Sequence, residues 1–225
     1  MIITLYHLQN SRSQRILWLL EELDCDYRII DSKNITVSDL PTELLPLKFP
    51  TIHILDTNTS IYLTETSAIC EFLSQKFQKL NIQSNYDVEI AYYYFWKNYA
   101  EASLMPTIIL QQIFKQIVVN TPLPFKPISS LFKYAFEKMY LKNEIKQQLN
   151  KVNDHLKTNN WICGNQFTIV DILIWFPLEA NLVSIEYFEY DYIRKYLVKI
   201  QNRNSFQKAL QKGNWSNKHF KKYWQ

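Results

Sequence analysis

Apolar and polar residues are arranged along the first third of the chain in a pattern that predicts strands and helices in alternation. Residues 2–7 are a short apolar run and residues 27–30 are another, and each is typical of a buried strand. Between them, apolar side chains recur at the spacing of one helix face: Ile16, Leu19, Leu20 and Leu23. The chain therefore begins strand, helix, strand, and a parallel pair connected in this way is right-handed.

A second unit follows a polar stretch at residues 31–47. An apolar strand starts directly after Pro50, a polar turn occupies residues 56–59, and a second strand covers residues 60–64. Because the turn is short, the two strands are expected to form an antiparallel hairpin that extends the sheet. A helix over residues 65–77 closes the unit and has one apolar face: Ile69, Phe72, Leu73 and Phe77.

Beyond a polar segment at residues 79–85, the pattern is helical throughout. One long helical region covers residues 87–116, either continuous or broken at Pro106, because proline lacks the amide hydrogen that a helix interior needs. Residues 120–127 are rich in proline and cannot lie inside a helix. Gly164 marks a turn, and the periodicity predicts further helices over residues 128–157, 190–200 and 205–210.

The helix that starts after residue 167 carries a complete N-terminal signal. Thr168 is placed to cap the first amide groups, and Asp171 stands three residues later, where it can bond back to the Thr168 amide. Phe167 can pack on Ile172 across the cap. This arrangement makes Asp171 a structural residue rather than a catalytic one.

These patterns divide the chain into two domains of different class. Residues 1–78 form an α/β domain of order βαβ-ββα, residues 79–85 are the linker, and residues 86–225 form an all-helical domain. A length of 225 residues is long for one mixed domain and sufficient for two.

The composition argues against some classes of function but does not identify the function. Hydrophobic residues make up 47% of the chain and charged residues 20%, as in globular proteins, and we find no run of about 18 apolar residues that would predict a membrane span. The net charge of +4 is mild and the basic residues are scattered, which argues against a nucleic-acid partner. The amino terminus is typical of a strand rather than a signal peptide, so we expect a cytoplasmic protein.

The three cysteines carry no sign of catalysis or metal binding. Cys25, Cys70 and Cys163 lie far apart in the sequence and lack the CxxC spacing of metal or redox sites. They are typical of ordinary thiols in a reducing compartment, and we expect no metal cofactor.

Several spaced motifs resemble one family. The segment YHLQNSRSQRILWLLEEL at residues 6–23 is similar to the first strand and helix of a fungal and bacterial subgroup of the cytosolic glutathione transferases. Pro50 before the third strand and the pair Glu65-Thr66 at the next helix fit the same family, as do three segments of the helical domain: residues 99–106, 124–128 and 168–172. The resemblance covers nearly the whole chain. It implies a thioredoxin-like first domain, an all-helical second domain, glutathione as co-substrate and a homodimer.

Two hydroxyl groups are candidates for stabilising the thiolate of glutathione. Ser11 follows the first strand and lies where a hydroxyl and a helix N-terminus are both available, although with Gln14 it also fits a plain capping box. The resemblance implies that Ser11 is the catalytic serine of the family. Tyr6 is the rival, because other classes use a tyrosine at the end of the first strand. Arg12 is a further candidate for orienting the thiol or a carboxylate of glutathione.

The resemblance also assigns the other binding residues. Lys48, the backbone of Phe49, Pro50 and the pair Glu65-Thr66 would hold glutathione. The electrophile would bind between the domains beside the long helix: Tyr99, Ser103, Met105 and Phe125. The implied reaction is conjugation of the glutathione thiolate to small hydrophobic electrophiles, with glutathione peroxidase activity left open.

One departure from the family pattern keeps a different class of function open. Residues 46–50 read PLKFP, whereas the family usually has a glycine in this loop. The pair Glu65-Thr66 replaces the usual Glu-Ser and keeps the hydroxyl. A non-catalytic glutathione-binding or scaffold protein on the same fold is therefore the alternative to an enzyme.

Overall fold

The computed structural model describes residues 1–36, 40–184 and 190–224. The first domain has the predicted order of elements: β1 (Ile2–His7), α1 (Ser13–Leu23), β2 (Tyr27–Asp31), β3 (Thr51–Asp56), β4 (Thr59–Thr64) and α2 (Thr66–Phe77). Short 3-10 turns at Ser32–Asn34 and Thr42–Leu44 lie in the predicted polar stretch, of which residues 37–39 fall outside the described residues.

The sheet has the strand order β2-β1-β3-β4. β1 and β2 are parallel, whereas β3 pairs antiparallel with β1 and β4, so the predicted βαβ-ββα topology is confirmed. Every residue from Ser13 to Leu20 in α1 is buried, because the helix lies between the sheet and the helical domain. Trp18 on α1 packs edge-on against Trp175 and Phe206 of the second domain, with ring centroids 6.0 and 4.9 Å away.

The second domain is helical, as predicted. Its helices in the described part of the chain are α3 (Asp87–Asn98), α4 (Met105–Asn120), α5 (Lys126–Phe136), α6 (Lys142–His155), α7 (Ile169–Ser184), α8 (Asp191–Gln201), α9 (Asn204–Lys212) and α10 (Asn217–Trp224). The last of these was not predicted, because the sequence there shows a lysine cluster and too short an apolar pattern.

Pro106 does not break the long helical region. A π-helical segment, Tyr99–Leu104, joins α3 to α4 immediately before this proline. The wider π turn removes the need for a regular hydrogen bond from the proline nitrogen, so the chain stays helical across it. A second π-helical segment, Glu137–Leu141, joins α5 to α6 and was not predicted.

The run Asp87–Asn120 is the exception to the expectation that no stretch could span a membrane. It has 34 residues and a window of mean hydropathy 1.3, so by length and composition alone it is long and apolar enough. A helix at the centre of a helical domain meets the same criteria. In this structure 28% of that window is buried; Trp96, Ala100 and Leu104 are among the buried residues of the run, and both α3 and α4 contact α7.

The start of α7 has the predicted capping geometry. The Thr168 Oγ1 accepts the Val170 amide at 3.3 Å, and the Asp171 carboxylate accepts the Thr168 amide at 2.9 Å. Asp171 is fully buried and also accepts the Ile162 amide and the Tyr196 hydroxyl, at 2.9 and 2.8 Å. Burial outweighs these hydrogen bonds and raises the pKa of Asp171 to about 6.

Candidate functional site

The register of the sheet brings three of the predicted site segments to the same edge. Tyr6, near the end of β1, lies opposite Thr51, the first residue of β3, and Thr51 in turn lies opposite Thr64, the last residue of β4. The loop after β1, the residues before β3 and the start of α2 therefore leave the sheet at one end. They converge there because β3 runs antiparallel to both of its neighbours.

The loop after β1 makes a tight turn that presents Ser11. Asn10 has a left-handed backbone conformation, with φ of 54°. The half-buried Ser11 donates its hydroxyl hydrogen to the Leu8 carbonyl at 2.7 Å, and its Oγ accepts the Ser13 amide at 3.1 Å. The predicted capping box is wrong, because the Gln14 side chain donates to the Ala209 carbonyl of the second domain instead.

Tyr6, the rival hydroxyl, lies deeper in the sheet. Its side chain is 8% exposed, and burial, followed by the neighbouring Tyr62, raises its pKa above the ordinary value of 10.0. The phenol therefore keeps its hydrogen at neutral pH and is a potential hydrogen-bond donor. Its chain neighbour His7 is buried beneath the loop, with Nδ1 2.7 Å from the Ser13 Oγ.

The residues before β3 form a turn with a cis peptide bond. Phe49–Pro50 is cis, as is Leu45–Pro46. Thr51 holds the turn by donating its hydroxyl hydrogen to the Lys48 carbonyl at 2.5 Å, whereas the Lys48 side chain is exposed. Phe49 precedes the first paired residue of β3, so its backbone groups lie at the end of the ladder, where an extended ligand could pair with them.

Glu65 stands at the N-terminus of α2 in an unusual conformation. Its φ of 68° and ψ of 119° are rare for a residue with a side chain, and such strain is concentrated at ligand-binding positions in proteins. Its carbonyl accepts the Ile69 amide, which starts the helix, and its side chain is exposed. Thr66 follows as the first helical residue and is buried. The free amide groups of this helix end favour an anion.

A cavity of about 580 Å³ lies between the domains beside Ser11. One wall is the loop after β1, and the other comes from three helices of the second domain. The lining residues are Leu8, Gln9, Asn10, Ser11, Arg12, Met105, Ile109, Phe176 and His219. A polar wall therefore faces an apolar one, to which the exposed His219 contributes an imidazole.

Of the four residues predicted to contact the electrophile, Met105 lines this cavity. Phe125 lines a separate apolar cleft of about 370 Å³ between α4 and α5. The Tyr99 hydroxyl donates to the Gln148 carbonyl at 3.4 Å, and burial raises its pKa to about 12. Ser103 lies within the π-helical segment, two residues before Met105.

Sequence reasoning missed three lining residues of the helical domain: Ile109, Phe176 and His219. Ile109 lies one helical turn after Met105, so the periodicity of α4 contained that signal. Phe176 and His219 reach the cavity only through the packing of α7 and α10, which no local pattern indicates.

A buried ion pair joins the two domains behind the cavity. Arg15 on α1 is fully buried, and its guanidinium pairs with Glu101 and donates to the Leu173 carbonyl at 2.8 Å. Its Cζ also lies 5.5 Å from the ring centroid of Phe176. The ion pair thus fixes α1 against the helices that form the apolar wall.

The cysteine thiols lie in environments that disfavour the thiolate. Burial raises the pKa of Cys25 to about 11 and that of Cys163 to about 12, and it raises the pKa of the fully buried Cys70 further still. Among the described residues, no group of three His, Cys, Asp or Glu side chains is placed to hold a metal ion.

The fold and site define a protein with a thioredoxin-like domain, an all-helical domain and a cavity between them. The family described as "Glutathione S-transferase, C-terminal domain" matches residues 108–203. Glutathione S-transferase 3 of Schizosaccharomyces pombe is 36% identical over 182 residues, which are 80% of this chain and 74% of that protein. Glutathione S-transferase 1 of Saccharomyces cerevisiae is 29% identical, over 94% of this chain and 95% of that protein. The chain belongs to the glutathione S-transferase family.

Solved structures agree with this assignment. A glutathione S-transferase from Actinobacillus pleuropneumoniae superposes with a TM-score of 0.71 at 25% identity, covering 95% of this chain and 94% of the other. A glutathione transferase family member from Pseudomonas fluorescens, solved with two glutathione bound, has a TM-score of 0.68 at 20% identity and covers 92% of each chain. The second likeness is one of fold alone.

Proposed function

We propose that this protein conjugates the thiolate of glutathione to small hydrophobic electrophiles. Family membership supports transferase chemistry. The single observation that carries the proposal is the cavity between the domains, in which Ser11 and Arg12 face the apolar side chains of Met105, Ile109 and Phe176. A polar loop that holds a thiolate and an apolar wall that holds its target are the two parts that such a reaction needs.

Glutathione is proposed to bind along the end of the sheet where the three site segments converge. The backbone of Phe49, before Pro50, would pair with its peptide groups as an added strand. Thr66 and the free amides at the start of α2 would hold its γ-glutamyl carboxylate, and Glu65 would pair with its α-amino group. The strained backbone of Glu65 supports this role, because strain of this kind is retained where function requires it.

Two cationic side chains, those of Arg12 and Lys48, are proposed to bind glutathione as well. Arg12 lines the cavity beside Ser11, and Lys48 stands next to the cis turn with its side chain exposed. Either can pair with the glycine carboxylate of glutathione, and Arg12 is the better placed for the thiol. We assign Arg12 to the reacting end and Lys48 to the carboxylate end.

Ser11 is proposed to stabilise the thiolate. Its hydroxyl hydrogen is donated to the Leu8 carbonyl in this structure, and rotation about one bond would redirect it to a sulfur in the cavity. A hydrogen bond to the charged form lowers the pKa of a thiol, which increases the fraction of nucleophile at neutral pH. Tyr6 remains the competing donor: its phenol is protonated, but it is not among the residues that line the cavity.

The step itself requires little of the protein beyond binding and polarisation. The sulfur forms a bond to an electrophilic carbon while a leaving group departs or a double bond accepts the electron pair. With a peroxide in the same cavity, the sulfur would attack oxygen instead, and a second glutathione would complete the reduction. The raised pKa values of Cys25 and Cys163 favour glutathione over a protein cysteine as the nucleophile.

We also propose a cytoplasmic homodimer. α3 presents large exposed side chains, with Tyr92, Tyr94 and Phe95 between 40% and 58% exposed. Aromatic side chains of this kind are enriched in protein interfaces, and a two-fold dimer uses the same face of both copies. Sedimentation equilibrium of the purified chain, with Tyr92→Ser as the variant, tests this part separately.

The decisive experiment compares the wild type with Ser11→Ala and Tyr6→Phe in a spectrophotometric assay with glutathione and chlorodinitrobenzene, followed by cumene hydroperoxide. Activity lost only in Ser11→Ala supports a serine-type transferase, and activity lost only in Tyr6→Phe overturns that assignment. A wild type that binds glutathione in calorimetry but converts neither substrate supports the alternative, a non-catalytic glutathione-binding protein. Absence of glutathione binding overturns the ligand assignment.

A further inference from the structure

Three hydrogen bonds join the C-terminal segment to side chains in and beside the loop after β1: His7 at the end of the strand, Asn10 in the loop and Gln14 in α1. The contacts cross from the first domain to residues 209–216. They are His7 Nε2 to the Gly213 carbonyl (3.2 Å), Gln14 Nε2 to the Ala209 carbonyl (2.7 Å) and the Ser216 amide to Asn10 Oδ1 (2.7 Å). We call these three contacts the C-terminal clamp. One of the anchoring residues, Asn10, itself lines the cavity.

Gly213 allows the clamp to close. Its φ of −84° is ordinary, so the requirement is for space rather than for conformation. A Cβ placed here would lie 2.3 Å from Gln14 Oε1 and 2.9 Å from Leu17 Cδ2. Both neighbours are buried side chains, and Gln14 is committed to its bond with Ala209, so neither can move away without loss.

Helix α10 starts directly after the clamp and has a fixed orientation. The Ser216 Oγ accepts the His219 amide at 3.3 Å and so caps the helix. Phe220 is 2% exposed and packs on Phe176 and Trp215, with centroid distances of 5.4 and 4.7 Å. Because Phe220 is anchored, the backbone position of its exposed neighbour His219, one of the residues that line the cavity, is fixed.

We propose that His219 selects the electrophile by donating a hydrogen bond to an oxygen on which negative charge develops during the reaction. This inference rests on the proposed function and names the substrate class of the same site. The other cavity-lining residues described from the helical domain, Met105, Ile109 and Phe176, are apolar, so the imidazole is the polar group on that wall. The matching electrophiles are α,β-unsaturated carbonyl compounds and nitroarenes.

The chemistry of the two reactions explains why a hydrogen bond from His219 would discriminate between classes of electrophile. When the sulfur adds to the β-carbon of an unsaturated ketone, a carbon–sulfur bond forms and the π electrons move to the carbonyl oxygen as an enolate. Water then supplies the proton to the α-carbon. When the sulfur displaces iodide from a primary alkyl iodide, the leaving group takes its electron pair and no oxygen becomes charged. An imidazole N–H therefore stabilises the first transition state and not the second.

The experiment measures kcat/KM for an unsaturated ketone and for a primary alkyl iodide of similar size, each with glutathione. We expect His219→Ala to lower kcat/KM about tenfold for the ketone and less than about twofold for the iodide, as removal of one hydrogen bond would do. His219→Gln keeps an N–H donor and should recover part of the loss. The adjacent Lys218→Ala, which removes a side chain that does not line the cavity, should match the wild type with both substrates.

An equal loss with both substrates, or no loss with either, overturns the role of His219. Calorimetry separates that failure from failure of the proposed function. A wild type that binds neither S-hexylglutathione nor S-(2,4-dinitrophenyl)glutathione contradicts both proposals. Binding of the two conjugates by the wild type, with kcat/KM for the ketone unchanged in His219→Ala, contradicts the inference alone, whereas weaker binding of only the dinitrophenyl conjugate by that variant supports it.

Discussion

His7, the last residue of β1, lies with its Nε2 3.2 Å from the carbonyl oxygen of Gly213, 206 residues further along the chain. A carbonyl only accepts, so Nε2 carries the hydrogen, and Nδ1 of the neutral ring accepts the Ser13 hydroxyl at 2.7 Å. Burial lowers the pKa of His7, and the Gly213 carbonyl opposes this effect only in part. The neutral imidazole thus links the candidate catalytic loop to the C-terminal segment.

This link makes the stability of the fold sensitive to mild acid. The folded pKa of His7 lies below the ordinary 6.5, so the unfolded chain binds the proton more readily. The free energy of unfolding should therefore fall as pH drops from about 6.5 towards the lower folded value, and His7→Gln should flatten this part of the curve. Urea unfolding at several pH values measures it. A His7→Gln curve parallel to the wild type would contradict the prediction. His155→Gln gives a separate measure of the half-buried His155, whose pKa is also lowered by burial.

Asp171 is expected to act in the opposite direction. Its pKa of about 6 in the fold lies above the ordinary 3.8, so the folded state binds the proton first as pH falls. The wild type should gain about 3 kcal/mol from this group between about pH 6 and about pH 4. Asp171→Asn cannot gain it, and its deficit in unfolding free energy should widen as pH is lowered through this range. A deficit that stays constant with pH would rule out titration of Asp171.

How far the sequence predicts this molecule depends on how local each feature is. The cap of α7 was predicted in detail, because Thr168 and Asp171 lie three residues apart and interact through the backbone between them. The positive φ of Glu65 was not, since glutamate has no preference for that conformation and the strain is imposed by the surrounding fold.

The apolar wall of the site shows the same limit. Met105 was assigned to the electrophile site by the resemblance to the family, which places that site beside the long helix, and it lines the cavity. Phe176 and His219 could not be assigned, because their positions depend on how α7 and α10 pack against a loop some 170 to 210 residues earlier. The spacing of Gln14 from Ser11 predicted a capping box. In the structure, the Gln14 side chain instead donates a hydrogen bond to a carbonyl of the other domain.

Gly213→Ala should loosen the clamp and change the site. The added methyl group displaces Gln14, so we expect about 1–3 kcal/mol of destabilisation and a higher KM for the electrophile. Gly164→Ala is the matched control: its φ of +73° makes the substitution strained, but the nearest atom to a new Cβ is 3.9 Å away and Gly164 does not line the cavity. Thermal unfolding and steady-state kinetics of both variants check the comparison. Equal effects of the two on KM would contradict a specific role for the clamp.

Glu65→Gly should weaken glutathione binding without lowering the stability of the fold. Glycine adopts a φ of 68° without strain, so the free energy of unfolding should stay the same or rise by about 1 kcal/mol. Loss of the carboxylate should weaken glutathione binding about tenfold or more, measured by calorimetry.

The control for Glu65 is at the other end of the same helix. Gln78 after α2 also has a positive φ, 53°, but with a ψ of 37° it lies in the ordinary left-handed helical region, and Gln78→Gly should leave glutathione affinity unchanged. Wild-type affinity in Glu65→Gly would remove this residue from the binding site.

The C-terminal clamp also sets an order of events during protein synthesis. The loop that carries Ser11 emerges from the ribosome early, and the sheet beneath it is complete once β4 has been made. The partners of this loop, Ala209, Gly213 and Ser216, are translated about 200 residues later. Synthesis of that length of chain takes seconds to tens of seconds. A nascent chain can therefore hold a folded thioredoxin-like domain before the loop that carries Ser11 is fixed, because the residues that fix this loop are made about 200 residues after it.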